Sequence, residues 1–106
     1  MSRKDKVGKR LDVLWLKYLP AIRSRLEAIN EVVEAIQRGE VTNELRATAA
    51  QEAHKLAGSL GTFGLQGSSD LALNVERLVL QAAQNSDTVA ELREQLARLE
   101  QEVAQR

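Results

Sequence analysis

The chain has no cysteine, one histidine, one proline and only 3% aromatic residues, and its 15 basic and 15 acidic side chains cancel. Each shortage removes a class of function. Without cysteine there is no disulfide framework, no thiolate nucleophile and no thiolate metal site, which is compatible with the cytoplasmic location expected here. A lone histidine leaves carboxylates to supply nearly all ligands of a zinc or iron site, so no metal is expected to bind. Balanced charge removes the field that draws a protein onto nucleic acid or anionic lipid, and neither is expected as a partner. No apolar run approaches the ~18 residues of a membrane span, and the start lacks the apolar stretch of a secretory signal. At that start Arg3, Lys4, Lys6, Lys9 and Arg10 outweigh Asp5; residues 1–8 read as a frayed, solvated basic leader.

What is present is helix-forming. Alanine, leucine, glutamate, glutamine and arginine dominate the 106 residues, a length that suits one domain, and no strand-like alternation occurs. Leu11, Leu14, Trp15 and Tyr18 share a face between about Lys6 and Leu19, and Pro20 then predicts a kink or a fresh start. Ile22, Leu26, Ile29, Val33 and Ile36 recur at intervals of three and four, predicting a helix from about Ala21 to Arg38 with Gly39 as its left-handed cap. Thr42 is placed to cap a helix with the stripe Leu45, Ala49, Ala53, Leu56 and Leu60. Gly61, Gly64 and Gly67 cluster at its end, and Ser68 or Ser69 can cap the next helix, with the stripe Leu71, Val75, Leu78 and Ala82 and an end near Gln84.

Asn85, Ser86 and Asp87 form a turn and cap, after which Val89, Leu92, Leu96, Leu99 and Val103 run toward the C-terminus. That spacing also fits a heptad seam, but over too few heptads for an independent coiled coil, so one wall of a core is the expectation. Leu73 and Leu80 fall off the stripe of their helix and either pack under the first helix or face a partner. The short connections predict an all-α, antiparallel up-down four-helix bundle with a short additional N-terminal helix across one end, expected to be monomeric.

The single histidine decides the functional reading. At 100° per residue His54 lies about 180° from Leu45 and about 120° from Leu60, so it faces away from the apolar stripe of its own helix and is expected in water. Ala47, Ala50 and Gln51 on one side and Ala57, Gly58 and Gly61 on the other make the surrounding surface nearly bare, as a second protein would need in order to approach the ring. Gly61 is explained at least in part by helix termination. Gly58 lies a full turn beyond His54 with apolar periodicity continuing to Leu60, where glycine costs about 1 kcal/mol relative to alanine. That position favours room for a partner or a phosphoryl group.

The segment Ala53-His54-Lys55-Leu56-Ala57-Gly58-Ser59-Leu60-Gly61-Thr62-Phe63-Gly64-Leu65 resembles the signature of histidine phosphotransfer (HPt) domains of two-component phosphorelays. His54, Leu56, Gly58 and Gly64 match that signature, Ala53 and Ser59 are similar to it, and Ala72 to Glu76 resemble the family's following helix. One departure stands out: the lysine common three residues after the histidine is Ala57 here, while Lys55 fills the variable slot.

The resemblance implies that His54 accepts and donates a phosphoryl group, exchanging it with an aspartate of a response-regulator receiver domain or with a sensor histidine kinase. Gln51, Lys55, Ala57, Gly58 and Gly61 are expected to form the surface around the phosphohistidine, with Gln51, one turn before His54, and the long, flexible Lys55 as candidate contacts to imidazole or phosphate, although Lys55 lies about 100° from His54 and does not simply take the place of the family's lysine. No cofactor is then needed on this chain, the Mg²⁺ belonging to the partner's acidic pocket. The chain carries no GxxxxGK[ST] loop or other glycine-rich nucleotide site, so a phosphoryl carrier without ATP-dependent kinase activity is expected. The alternative is a non-catalytic interaction, scaffold or dimerisation bundle whose phosphorylation has been lost. A hydrolase using His54 as general base lacks a recognisable serine or cysteine nucleophile with a carboxylate to orient the base.

Overall fold

Local signals at three junctions cut the chain into four helices: α1 (Arg3–Gln37), α2 (Asn43–Thr62), α3 (Gln66–Gln81) and α4 (Asp87–Gln105). The computed structural model describes residues 3–106, with side chains from Arg10 onward. After α1, Gly39 takes φ +71°, and the amides of Gly39 and Glu40 return to the carbonyls of Ile36 and Ala35. The Thr42 hydroxyl then accepts from the Leu45 amide and opens α2. After α2, Gly64 takes φ +75°, with the amides of Gly64 and Leu65 closing on Gly61 and Leu60. Both ends are thus left-handed glycine caps that satisfy otherwise orphaned carbonyls. The Ser86 hydroxyl accepts from the Val89 amide and opens α4.

The helices pack as α1 against α2, α2 against α3, α3 against α4, and α4 back against α1, a closed up-down ring without strands among the described residues. Ile22, Ile29, Ile36, Leu56, Leu60, Val75, Leu78, Leu92 and Leu99 fill its axis. The α4 heptad stripe forms a wall of this core, as its spacing predicts. No helix among the described residues is long and apolar enough to cross a membrane.

Two expectations about helix boundaries are corrected. The separate N-terminal helix does not exist, because α1 runs unbroken through Pro20. Proline removes one amide and leaves the Leu16 carbonyl without its helical partner. Pro20 and Leu16 both lie on the exposed side of α1, where water can serve that carbonyl, while Trp15 and Ile22 keep the inner face packed across the proline. At about 1.5 Å per residue the fused helix reaches roughly 52 Å, in keeping with the molecule's 55 Å long dimension. The side chains of the basic leader lie outside the described residues.

Nor do Ser68 and Ser69 cap α3, which begins at Gln66 after Leu65 with no side-chain cap. Both serines are buried in the first turn of the helix, where their hydroxyls reach neighbouring helices: Ser68 donates to Glu102 at 2.8 Å and Ser69 to the Ala57 carbonyl at 2.8 Å. Among Leu11, Leu14, Trp15 and Tyr18, Trp15 alone is buried, edge-on to Phe63 with centroids 5.3 Å apart. Leu14, Tyr18 and Leu45, expected on inner stripes, are exposed: Leu45 lies in the first turn of α2, and Leu14 and Tyr18 line an open groove with Ser59, Thr62 and Phe63 at the last turn of α2.

Candidate functional site

His54 sits in the middle of α2 between two inward-facing residues, Ala53 and Leu56, both fully buried. Those two anchor the helix face and turn the imidazole outward, leaving its side chain 70% exposed. Nδ1 lies 3.1 Å from Oε2 of Glu76 on α3. Glu76 is only 31% exposed, set in the crease between the helices. An ionised carboxylate can only accept, so the contact places a proton on Nδ1 and, in the neutral ring, leaves the lone pair on Nε2. The nitrogen that keeps the lone pair is therefore the one Glu76 does not hold.

Around the ring, Ala50, Gln51, His54, Lys55 and Glu76 line an open groove of about 520 Å³. Gln51 and Lys55, chosen from the sequence, thus share one concavity with His54. Gly58 is exposed, and a Cβ built there would meet nothing within 4 Å. Packing therefore does not require glycine at this position. At Gly61 a Cβ would stand 3.6 Å from Ser69 Oγ, an ordinary contact.

Ala57 departs from expectation. It is 5% exposed and belongs to the core, not to the surface around the histidine. From His54, position 57 turns about 60° toward α3, and Ala50 is covered on the same flank. The bare surface is consequently narrower than the helix projection suggests, lying on the side of Gln51, Gly58 and Gly61 and closed by α3 on the other.

Glu76 is the site residue that sequence reasoning did not single out. Its helix was recognised, but which α3 side chain meets His54 depends on the register between two helices, and the periodicity of either one leaves that register open. A carboxylate on the flank of α3 next to its buried stripe was the only available signal. Leu73 and Leu80, three before and four after Glu76, are 44% and 53% exposed. They stand exposed one turn to either side of Glu76 and do not pack under α1.

The sequence profile of the Hpt domain matches residues 13–105. The chain belongs to the histidine phosphotransfer (Hpt) domain family. A stretch of 66 residues is 30% identical to protein RcaC of Microchaete diplosiphon, covering 62% of this chain but 10% of that protein. The chain thus corresponds to a small part of that relative. No solved structure matches it.

Within this Hpt domain the two glycines that match the family signature have different physical roles. Gly64 is structural: its φ of +75° ends α2 in a conformation that other L-residues adopt only with strain. Gly58 carries no such constraint and borders the histidine. Hpt domains interact with receiver domains and kinases in phosphorelays.

Proposed function

We propose that this Hpt domain relays a phosphoryl group through Nε2 of His54, to or from the aspartate of a response-regulator receiver domain, with a sensor kinase as the other possible donor. The observation that carries the reading is the arrangement of one ring: its Nδ1 is held by Glu76 at 3.1 Å, and its side chain is 70% exposed on a rigid helix.

In the accepting direction, the Nε2 lone pair forms a bond to phosphorus as the bond between phosphorus and the aspartate carboxyl oxygen breaks. The carboxylate leaves with that electron pair. The Nδ1 proton stays between ring and Glu76, whose negative charge compensates the positive charge developing on the imidazole. Donation runs the same events backward. Loose phosphoryl transfer depends mainly on in-line placement and compensation of the oxygen charge. The helix supplies the placement. Lys55 and Gln51, lining the same groove, supply part of the compensation, and Mg²⁺ held by the receiver supplies the rest.

The open surface at Gly58 leaves room for the partner's approach, and the exposed side chains of Leu73 and Leu80, flanking Glu76, give it apolar contacts to rest on. On this reading the domain works as a monomeric, cytoplasmic carrier and leaves ATP chemistry to its partners. The test is incubation with a phosphorylated receiver, followed by detection of acid-labile, base-stable phosphate on this chain. Transfer to the parent and none to His54→Gln supports the reading.

A further inference from the structure

The contact between His54 and Glu76 lacks support of its own. The imidazole is too exposed for surrounding side chains to hold it, so the position of Glu76 is inherited from how α3 lies along α2. Two bonds link those helices on either side of the pair. On one side Ser69 Oγ donates to the Ala57 carbonyl at 2.8 Å, in a buried setting. On the other, Arg46 Nη1 donates to the Val79 carbonyl at 2.9 Å. The Val79 carbonyl belongs to the last turn of α3, where helical carbonyls lack an amide partner. The Ala83 amide that would otherwise serve it donates instead to Ser86 Oγ.

Each link runs from a side chain of one helix to the main chain of the other, and they run in opposite directions: Ser69 from α3 to α2, Arg46 from α2 to α3. Side-chain packing alone permits small slides and rotations where one of two helices is faced largely with alanine, as α2 is with Ala49, Ala50, Ala53 and Ala57. A directional bond to a main-chain carbonyl does not.

We infer that Ser69 and Arg46 are positioning residues for the phosphoryl-carrying histidine: together they hold the α2 and α3 register at which Glu76 meets Nδ1, and so hold the tautomer that leaves Nε2 free. The functional meaning rests on the proposed role of His54, but the test needs no partner and no transfer, so the two can fail separately.

His54 is the only histidine in the chain, so a long-range ¹H–¹⁵N correlation spectrum of uniformly labelled protein reads its ring without ambiguity. In the neutral ring the parent shows predominantly the Nδ1–H form. Glu76→Ala moves the population toward Nε2–H and defines the unsupported ring. Ser69→Ala and Arg46→Met each move the Nδ1–H to Nε2–H ratio in the same direction, by up to about fivefold, the scale of one weakened hydrogen bond. If Ser69→Ala lowers the folded fraction, Arg46→Met, with an unbranched stem in place of the arginine, still reports. A lowered melting temperature with the parent's tautomer ratio in both variants makes them merely structural and overturns the inference. So does a Glu76→Ala ring that keeps the parent's ratio.

Discussion

Nδ1 of His54 lies 3.1 Å from Oε2 of Glu76, across the seam between α2 and α3, and this one contact distinguishes the two nitrogens of the ring. A surface imidazole without it interconverts between tautomers. With it, the neutral ring keeps its lone pair on Nε2.

The first expected outcome follows directly. Glu76→Ala leaves the fold intact, because Glu76 is partly exposed and outside the core, and slows phosphoryl transfer. A solvated, charge-assisted contact contributes up to about 1 kcal/mol, or roughly fivefold in rate. Single-turnover transfer from one phosphorylated receiver at fixed ionic strength measures it.

The two matching glycines should respond in opposite ways. Gly58→Leu fills open space and removes glycine from a helix interior, so stability rises by up to about 1 kcal/mol. Transfer slows, because the new side chain stands one turn from His54 in the partner's path. Gly64→Ala forces a Cβ onto φ +75° and lowers stability by about 1 kcal/mol, while the folded protein transfers at the parent's rate. Chemical denaturation alongside transfer kinetics separates the pair.

The lysine common in the family and absent here sets up a third comparison. Lys55→Ala removes a charge from the groove and slows transfer modestly, again within about fivefold. Ala57→Lys does not simply restore the common pattern, because position 57 is covered by α3. Its stem must pass Ser69 and the α3 flank to reach water, and overpacking of that kind costs about 1–3 kcal/mol. A lower melting temperature than the parent's is the expected result, whatever happens to the rate.

In the core, Leu56→Ala removes a fully buried side chain adjacent to the site and costs about 2–5 kcal/mol. Its effect on transfer should follow the fraction folded, as urea denaturation measured in parallel will show.

Where a single helix decides the answer, the sequence was sufficient to read it. The inner faces of Ile22, Leu26, Ile29, Val33 and Ile36, the Thr42 and Ser86 caps, the glycine ends at Gly39 and Gly64 and the outward direction of His54 all follow from local periodicity and backbone chemistry. Pro20 was misleading because its cost depends on whether the freed Leu16 carbonyl faces water, and that is set by packing. Ser68 and Ser69 matched a cap pattern, but Leu65 and the Gly64 turn start α3 earlier and bury them. Ala57 and Glu76 were misplaced or missed for one shared reason. Both depend on where α3 lies along and around α2, a relation between two helices that the 3.6-residue period of neither contains.

Whether His54 carries the phosphoryl group is decided by transfer from a phosphorylated receiver to parent and His54→Gln proteins, with the product checked for acid-labile, base-stable phosphate. His54 is exposed, so the variant should fold with near-parental stability. With its single histidine the parent should take up about one labile phosphate per chain, and the variant none. Labile phosphate on His54→Gln at the parent's stoichiometry, or a well-folded parent that takes up none from any active receiver or sensor kinase, would contradict a carrier role for His54.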